Sequence, residues 1–348
     1  MKFARFLKRG GFIAAVLIIV LLADIALSAS GFIQKSGFFW LNDYEITRRD
    51  HPEEVWDRVI FGSSELVSAY REDLTTADYV NLGMDYGTVR DLVEMLEGGH
   101  ITVGSDLVLA LNWGAMYDDM DTNPTYEWHR KWYEPYFYFQ RDRLSEFVTD
   151  NLKALLGEGD FRRRTYTQQQ KAFYYGNMTL SELDERREKL HGLYFEGGTE
   201  LYADNLAALD EVFAFCEAEG IRVRVLWLPE NPLVEPEPLD LELRELCREK
   251  SEAAGVEFYD MTDALDAGCF YDTGHLDYDY GAVVFTEVLD EWLLDDLLCS
   301  GKTAVHVAGR NHGFHGIGDD GIALASAAML LAVLAFFSGH GAFIYEGF

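Results

Sequence analysis

From Trp56 to about residue 298 the chain alternates short apolar runs with longer amphipathic ones, and that rhythm constrains its fold more than any other feature. Val59–Phe61, Tyr79–Leu82, Leu107–Leu111, Ile221–Leu228 and Val256–Tyr259 read as strands, and the continuous apolar run Leu107–Leu111 as one buried on both faces. Thr88–Leu96 reads as a helix with Val89, Leu92, Val93 and Leu96 on one side. Leu201–Glu219, Leu241–Ala254 and Gly281–Leu298 carry longer helical patterns. Strands separated by helices must be joined by crossovers, so the expected class is α/β: three layers, with a mostly parallel sheet covered on both faces.

A chain of 348 residues, 49% of them hydrophobic, can bury a full-sized core, in one large domain or in two. Its 29 basic and 60 acidic residues give a formal charge of −31. That balance excludes nucleic acid as a partner and electrostatic docking on an anionic membrane, so any membrane attachment must be hydrophobic. The acid reads as a solvated surface, or in part as carboxylates that attract a cationic substrate group. Cys216, Cys247, Cys269 and Cys299 show no C-x-x-C spacing, so no zinc site is expected, and no other metal or cofactor. One or two disulfides and buried free thiols are both open.

Outside the alternating region the chain changes character. Residues 1–9 are basic, and residues 10–33 are apolar apart from Asp24. They read as a signal-anchor transmembrane helix with its basic end in the cytoplasm, or as a signal peptide cleaved at Leu27-Ser28-Ala29. In either case the domain at 50–298 is exported. An insertion at about 114–198 is crowded with Trp128, Trp132, Tyr133, Tyr136, Phe137, Tyr138 and Phe139 and is expected to be mostly helical. A Gly/His-rich linker at 299–320 holds His306, His312 and His315, for which no specific metal is expected. The uncharged run 321–339 is long enough for a second transmembrane or interfacial helix. Asn177-Met178-Thr179 matches a glycosylation sequon by chance.

Arg58-Val-Ile-Phe-Gly-Ser-Ser-Glu-Leu-Val-Ser-Ala-Tyr70 reads as a strand, a Gly-Ser-Ser turn and a helix starting near Glu65. A serine there is held rigidly by the strand end, and unpaired N–H groups of the helix N-terminus point at any negative charge that develops. The same pattern is also an ordinary strand-to-helix turn with a serine cap. Far downstream, Asp272-Thr-Gly-His275 places a carboxylate where it can orient an imidazole. Between these lie Asn81-Leu-Gly83 after the second strand and Asn112-Trp113 after the third. All four sit at carboxyl ends of expected strands or in the loops that follow, where open α/β sheets carry their sites.

This set resembles the SGNH (GDSL-type) hydrolases. The resemblance implies Ser64 as nucleophile, Asp272 and His275 as its partners, and an oxyanion hole from the N–H groups of Ser64 and Gly83 with Asn112. Ser63 stands where that family usually has Asp, and Leu-Asn-Trp-Gly replaces its usual Gly-x-Asn-Asp. Gly62-Ser-Ser-Glu-Leu66, Pro229-x-Asn231 and Asp272-Thr-x-His-Leu276 are similar more narrowly to the DltD family of D-alanyl-lipoteichoic acid biosynthesis. Asp277 departs from that family, which commonly has Gly there, and the hydrophobic C-terminus is an addition to its plan. The narrower resemblance implies a serine acyltransferase or esterase on the outer face of a bacterial cell membrane. It further implies D-alanylation of teichoic acid or another envelope polymer, with an integral-membrane O-acyltransferase and an acyl-carrier system as partners. Glu65 is then expected to meet the D-alanyl ammonium, and Trp113 to contact substrate. Two alternatives stay open: an O-acetyltransferase or O-acetyl esterase acting on exported polysaccharide or peptidoglycan, and a non-catalytic scaffold for a membrane-bound acyltransferase.

Overall fold

A computed structural model describes residues 2–30, 41–123, 126–129, 151–157, 171 and 173–299. Five strands form one wholly parallel sheet: β1 (Trp56–Gly62), β2 (Val80–Gly83), β3 (Val103–Leu111), β4 (Arg222–Trp227) and β5 (Glu257–Asp260), in the order β2-β1-β3-β4-β5. Each expected strand is present, with its ends shifted by at most four residues. The helices between and after them are α3 (Ser64–Ala69), α4 (Val89–Glu97), α5 (Trp113–Met116), α6 (Leu180–Leu190), α7 (Ala203–Glu219), α8 (Pro238–Ala253) and, beyond β5, α9 (Gly281–Cys299). They are preceded by α1 (Lys2–Ala29) and α2 (Asp43–Asp50).

The pleat of the strands sorts the core into two layers. Val59, Phe61, Leu107, Leu109, Leu111, Val225 and Trp227 face α4, α7 and α8. Their sequence neighbours Ile60, Val108, Ala110 and Leu226 face α3 and α9 instead. Both faces are dry, which is why Leu107–Leu111 shows no polar alternation. Each such side chain contributes roughly 1.5–3 kcal/mol by leaving water. Cys216, Cys247 and Cys269 are buried free thiols in these layers, so no disulfide joins any of them.

Lys2–Ala29 is a single helix of 28 residues with Ile13, Leu17, Ile18 and Leu22 exposed along it. Among the described residues no helix is long and apolar enough to cross a membrane. The aromatic cluster from Trp132 to Phe139, the linker with His306, His312 and His315, and the run 321–339 lie outside the described residues.

Candidate active site

The strand order fixes where a site can form. The chain leaves β1 toward β2 on one side, and β3 lies on the other, so a crevice opens at the carboxyl ends of β1 and β3. Ser63 and Ser64 follow Gly62 at the end of β1, and Asn112 follows Leu111 at the end of β3. Ser64 is the first residue of α3, and no acceptor among the described residues takes its N–H.

Asp272 and His275 arrive on a short hairpin closed by the antiparallel bridge Phe270↔Leu276. In it the Tyr271 N–H donates to His275 O at 2.8 Å, and the Asp277 N–H to Cys269 O at 2.9 Å. Ser64 Oγ lies 3.0 Å from His275 Nε2, and His275 Nδ1 lies 3.0 Å from Asp272 Oδ2 and 3.1 Å from Oδ1. An ionised carboxylate only accepts, so Nδ1 carries the proton and Nε2 is left to accept from Ser64 Oγ–H. Asp272 Oδ1 also takes the N–H groups of Gly274 (3.0 Å) and His275 (2.8 Å), and Arg186 of α6 ion-pairs with Oδ2 at 2.8 Å. Burial raises the Asp272 pKa, but the hydrogen bond and charge of His275, Arg186 and the Gly274 N–H outweigh it and hold the group below its ordinary value. Burial lowers the His275 pKa, yet Asp272 and Glu65 more than reverse this, so the imidazole is more basic than usual.

One correction concerns the expected oxyanion donors. The Gly83 N–H donates to Asn81 Oδ1 at 2.8 Å, and Asn81 Nδ2 donates to Tyr70 O at 2.9 Å. A side-chain carbon on Gly83 would stand 2.6 Å from Val67 N. Asn81-x-Gly83 therefore seats α3 against β2, and its glycine serves close packing rather than the oxyanion. Three residues on, Tyr86 lines the pocket with a left-handed backbone (φ +58°), and its N–H has no partner among the described residues. That backbone is fixed from below: Asp43 of α2 accepts the neighbouring Asp85 N–H and the Tyr126 hydroxyl, the latter at 2.8 Å. Asn112 does reach the pocket. Its Oδ1 accepts from the Ala115 N–H (2.9 Å) and Ser63 Oγ (3.2 Å), and its side chain lies close enough to Glu65 to oppose the rise in that group's pKa.

Ser64 and His275 open on a cavity of about 360 Å³, walled by Tyr86, Trp113, Tyr174, Arg186, Lys189 and Tyr194 among others. Tyr174 stands over the His275 ring (centroids 4.3 Å) and stacks on Tyr271. Trp113 packs against Tyr194 and Phe195 at 4.8 and 5.4 Å between centroids, so it is a wall residue. Glu65 is buried beneath Gly274, where any side chain would collide with its Oε1. Burial lifts its pKa to about 7, against the opposing His275 charge and Asn112 bond, with Asp272 and Glu230 adding to the rise.

Tyr86, Tyr174 and Arg186 carry no sequence signal comparable to the Asp-x-x-His, because a free amide, a ring face and a long-range ion pair have no spacing. The Pro229-x-Asn231 pair acquires a role: Asn231 Nδ2 donates to Asp272 O at 2.8 Å, and its N–H to Thr273 O at 3.1 Å. Asn177 is occupied in the same way, its side-chain amide donating to Phe270 O at 2.7 Å. Among the described residues no three His, Cys, Asp or Glu side chains converge to hold a metal ion.

No protein-family model matches this sequence, and no curated protein is significantly similar to it. Among solved structures it is similar to Est24, a carbohydrate acetylesterase from Sinorhizobium meliloti. The two share 10% identity over 68% of this chain and 99% of that one, with a TM-score of 0.35. A likeness this distant carries no argument about fold or activity, which rest on the geometry above.

Proposed function

We propose that this chain is a serine acyl-transfer enzyme, and the observation that carries the reading is the hydrogen-bonded series Ser64–His275–Asp272 at the edge of a cavity. Ser64 Oγ bonds to the acyl carbon of an ester or thioester as its proton passes to His275 Nε2. The oxyanion is held by the free N–H groups of Ser64 and Tyr86, each such donor being worth about 3 kcal/mol in the transition state. Collapse breaks the bond to the leaving group, which takes the proton from His275. An acceptor hydroxyl, or water, then gives its proton to His275 and attacks the acyl-serine, releasing Ser64.

The finer reading is D-alanyl transfer to an envelope polymer, teichoic acid above all, on the outer face of a bacterial membrane. It is supported by the three motifs that resemble the DltD family. All three fall on this site: Gly62–Leu66 carries the nucleophile, Asn231 braces the hairpin, and Asp272–Leu276 supplies the base. The basic start of α1 and its exposed apolar residues support a membrane anchor. A Ser64→Ala strain assayed for polymer-linked D-alanine and for acetyl esters tests the whole. Loss of D-alanine is expected; loss of acetyl esters alone selects the acetyl reading, and no change in either refutes catalysis by Ser64.

A further inference from the structure

One side chain on the wall of the Ser64 cavity has no task in the fold. Asp85 stands between β2 and Tyr86, lines the same cavity as Ser64, Tyr86 and His275, and is only 6% exposed. Its backbone is fully used: the N–H donates to Asp43 Oδ2, and the carbonyl lies 3.2 Å from the Tyr126 hydroxyl. Its carboxyl is unused. Among the described residues it makes no hydrogen bond, and Oδ1 is closed off from water as well. A buried polar atom without a partner lowers stability, so one kept beside the reacting serine points to a partner on the substrate.

The neighbouring carboxyl shows which of the two holds a proton. Asp43 of α2 is 1% exposed and accepts from the N–H groups of Tyr44 (3.0 Å) and Asp85 and from the Tyr126 hydroxyl. Three donors converge on Asp43 and none on Asp85. A buried carboxylate needs donors whereas a neutral carboxyl is itself one, so Asp43 carries the charge and Asp85 the proton. Burial raises the Asp43 pKa, but those three bonds oppose it. Burial and then the Asp43 charge push the Asp85 pKa up to about 7, with only His275 on the hairpin and Lys171 opposing. The His275 charge is absent from the form that accepts the Ser64 proton. Tyr126 and Tyr174, the remaining titratable groups around Asp85, are held as neutral hydroxyls by burial and by these acids.

We propose that Asp85 is a catalytic residue whose carboxyl O–H donates to the oxyanion, as a third donor beside the N–H groups of Ser64 and Tyr86. This rests on Ser64 being the nucleophile, since the oxyanion forms only where an acyl carbon meets that serine. A side chain and the N–H of the next residue can converge on one acceptor, and Asp43 fixes both by holding the Asp85 N–H. No proton is transferred. The hydrogen bond strengthens as negative charge develops and weakens as the intermediate collapses. Ionised Asp85 loses this contact, because a carboxylate repels the oxyanion.

The full-length chain is assayed in detergent micelles with phenyl acetate, the spontaneous rate being subtracted at each pH. Asp85→Ala is expected to lower kcat about 100-fold or more with KM changed less than about twofold, as for a donor used only in the transition state. Asp85→Asn keeps an N–H donor and should recover about tenfold of that loss. The active form holds the proton, so wild-type kcat/KM should fall as pH rises through the Asp85 pKa, and Asp85→Asn should show no such fall. Neither variant should lower the thermal midpoint, because the side chain makes no bond. Unchanged kcat in Asp85→Ala, a loss carried by KM, or a loss that follows a lowered midpoint overturns the donor and leaves Ser64 standing. Turnover by Ser64→Ala equal to wild type overturns the nucleophile and the oxyanion role with it. The proton is read without turnover, from infrared difference spectra of Ser64→Ala with and without Asp85→Asn. A protonated-carboxyl band at mildly acid pH supports the proposal, and its absence overturns Asp85 alone.

Discussion

Ser64 and Asp272 reach one pocket from regions held in place by different forces. Ser64 stands on β1 and α3, where Val59, Ile60, Phe61 and Leu66 are fully buried and where Gly83 lets helix and strand touch. Asp272 stands on a hairpin whose base, Phe270 and Leu276, is anchored in the core, but whose turn is oriented by polar ties from distant segments: Asn231 after β4, Asn177 and Met178 before α6, and Arg186 within it. The first region is set by core packing, which transmits any error to the whole fold. The turn of the second, above its core-anchored base, is set by single hydrogen bonds, each worth about 1 kcal/mol and replaceable by water. Activity can therefore be lost from the hairpin side without loss of the fold, but not readily from the strand side below Ser64.

The largest effect expected is that of Ser64→Ala, whose side chain makes one hydrogen bond, to His275, and no core contact. Acyl transfer is expected to fall by about 10⁴-fold or more while the thermal midpoint stays within a degree or two. A fluorophosphonate should label wild type and Ser63→Ala but not Ser64→Ala. Labelling at Ser63 would reassign the nucleophile and remove the contrast between the two regions.

Gly83→Ala probes the other extreme. The added carbon meets the Val67 backbone, which cannot rotate away as a side chain could. A destabilisation of about 3 kcal/mol is expected, read as a lower midpoint in thermal or denaturant unfolding, with activity lost only as the folded fraction falls. A stable Gly83→Ala protein with a selective loss of turnover would restore Gly83 to the oxyanion hole and displace Tyr86.

The same contrast explains what was legible in the sequence. Periodicity located all five strands because burial on both faces leaves an apolar run that little else produces. The Asp272–His275 spacing was legible because three residues within one hairpin settle the geometry locally. Asn81-x-Gly83 misleads for a physical reason: a glycine needed for helix-to-strand contact and one needed to free an amide look alike in a sequence. Tyr86 goes unseen because its contribution is a backbone N–H exposed by a left-handed φ, which a tyrosine does not advertise. Arg186 goes unseen because it meets Asp272 across 86 positions with no pattern linking them. Glu65 reads locally as a first-turn helix residue and only through the family resemblance as a substrate contact, because its burial under Gly274 is a long-range feature with no spacing of its own.

The smallest effect, and the most specific to the hairpin side, is expected from Arg186→Gln. Arg186 is half-buried on α6, a helix whose only buried apolar side chain is Leu183, so removing its charge costs the core nothing. Its ion pair with Asp272 Oδ2 is one of several bonds that orient the carboxylate. A charged hydrogen bond of this kind is worth about 1.5–3 kcal/mol, so kcat is expected to fall about tenfold with little change in midpoint. The pH profile separates positioning from mere damage. In wild type, kcat/KM should rise with pH through a His275 pKa above the ordinary ~6.5, because only neutral imidazole accepts the Ser64 proton. The Arg186 charge holds that pKa down. Its removal favours imidazolium and should move the acidic limb to still higher pH, and Arg186→Lys should restore part of both the limb and the rate. A tenfold loss with the limb unmoved would show that Arg186 contacts substrate in the wide cavity instead of acting through Asp272.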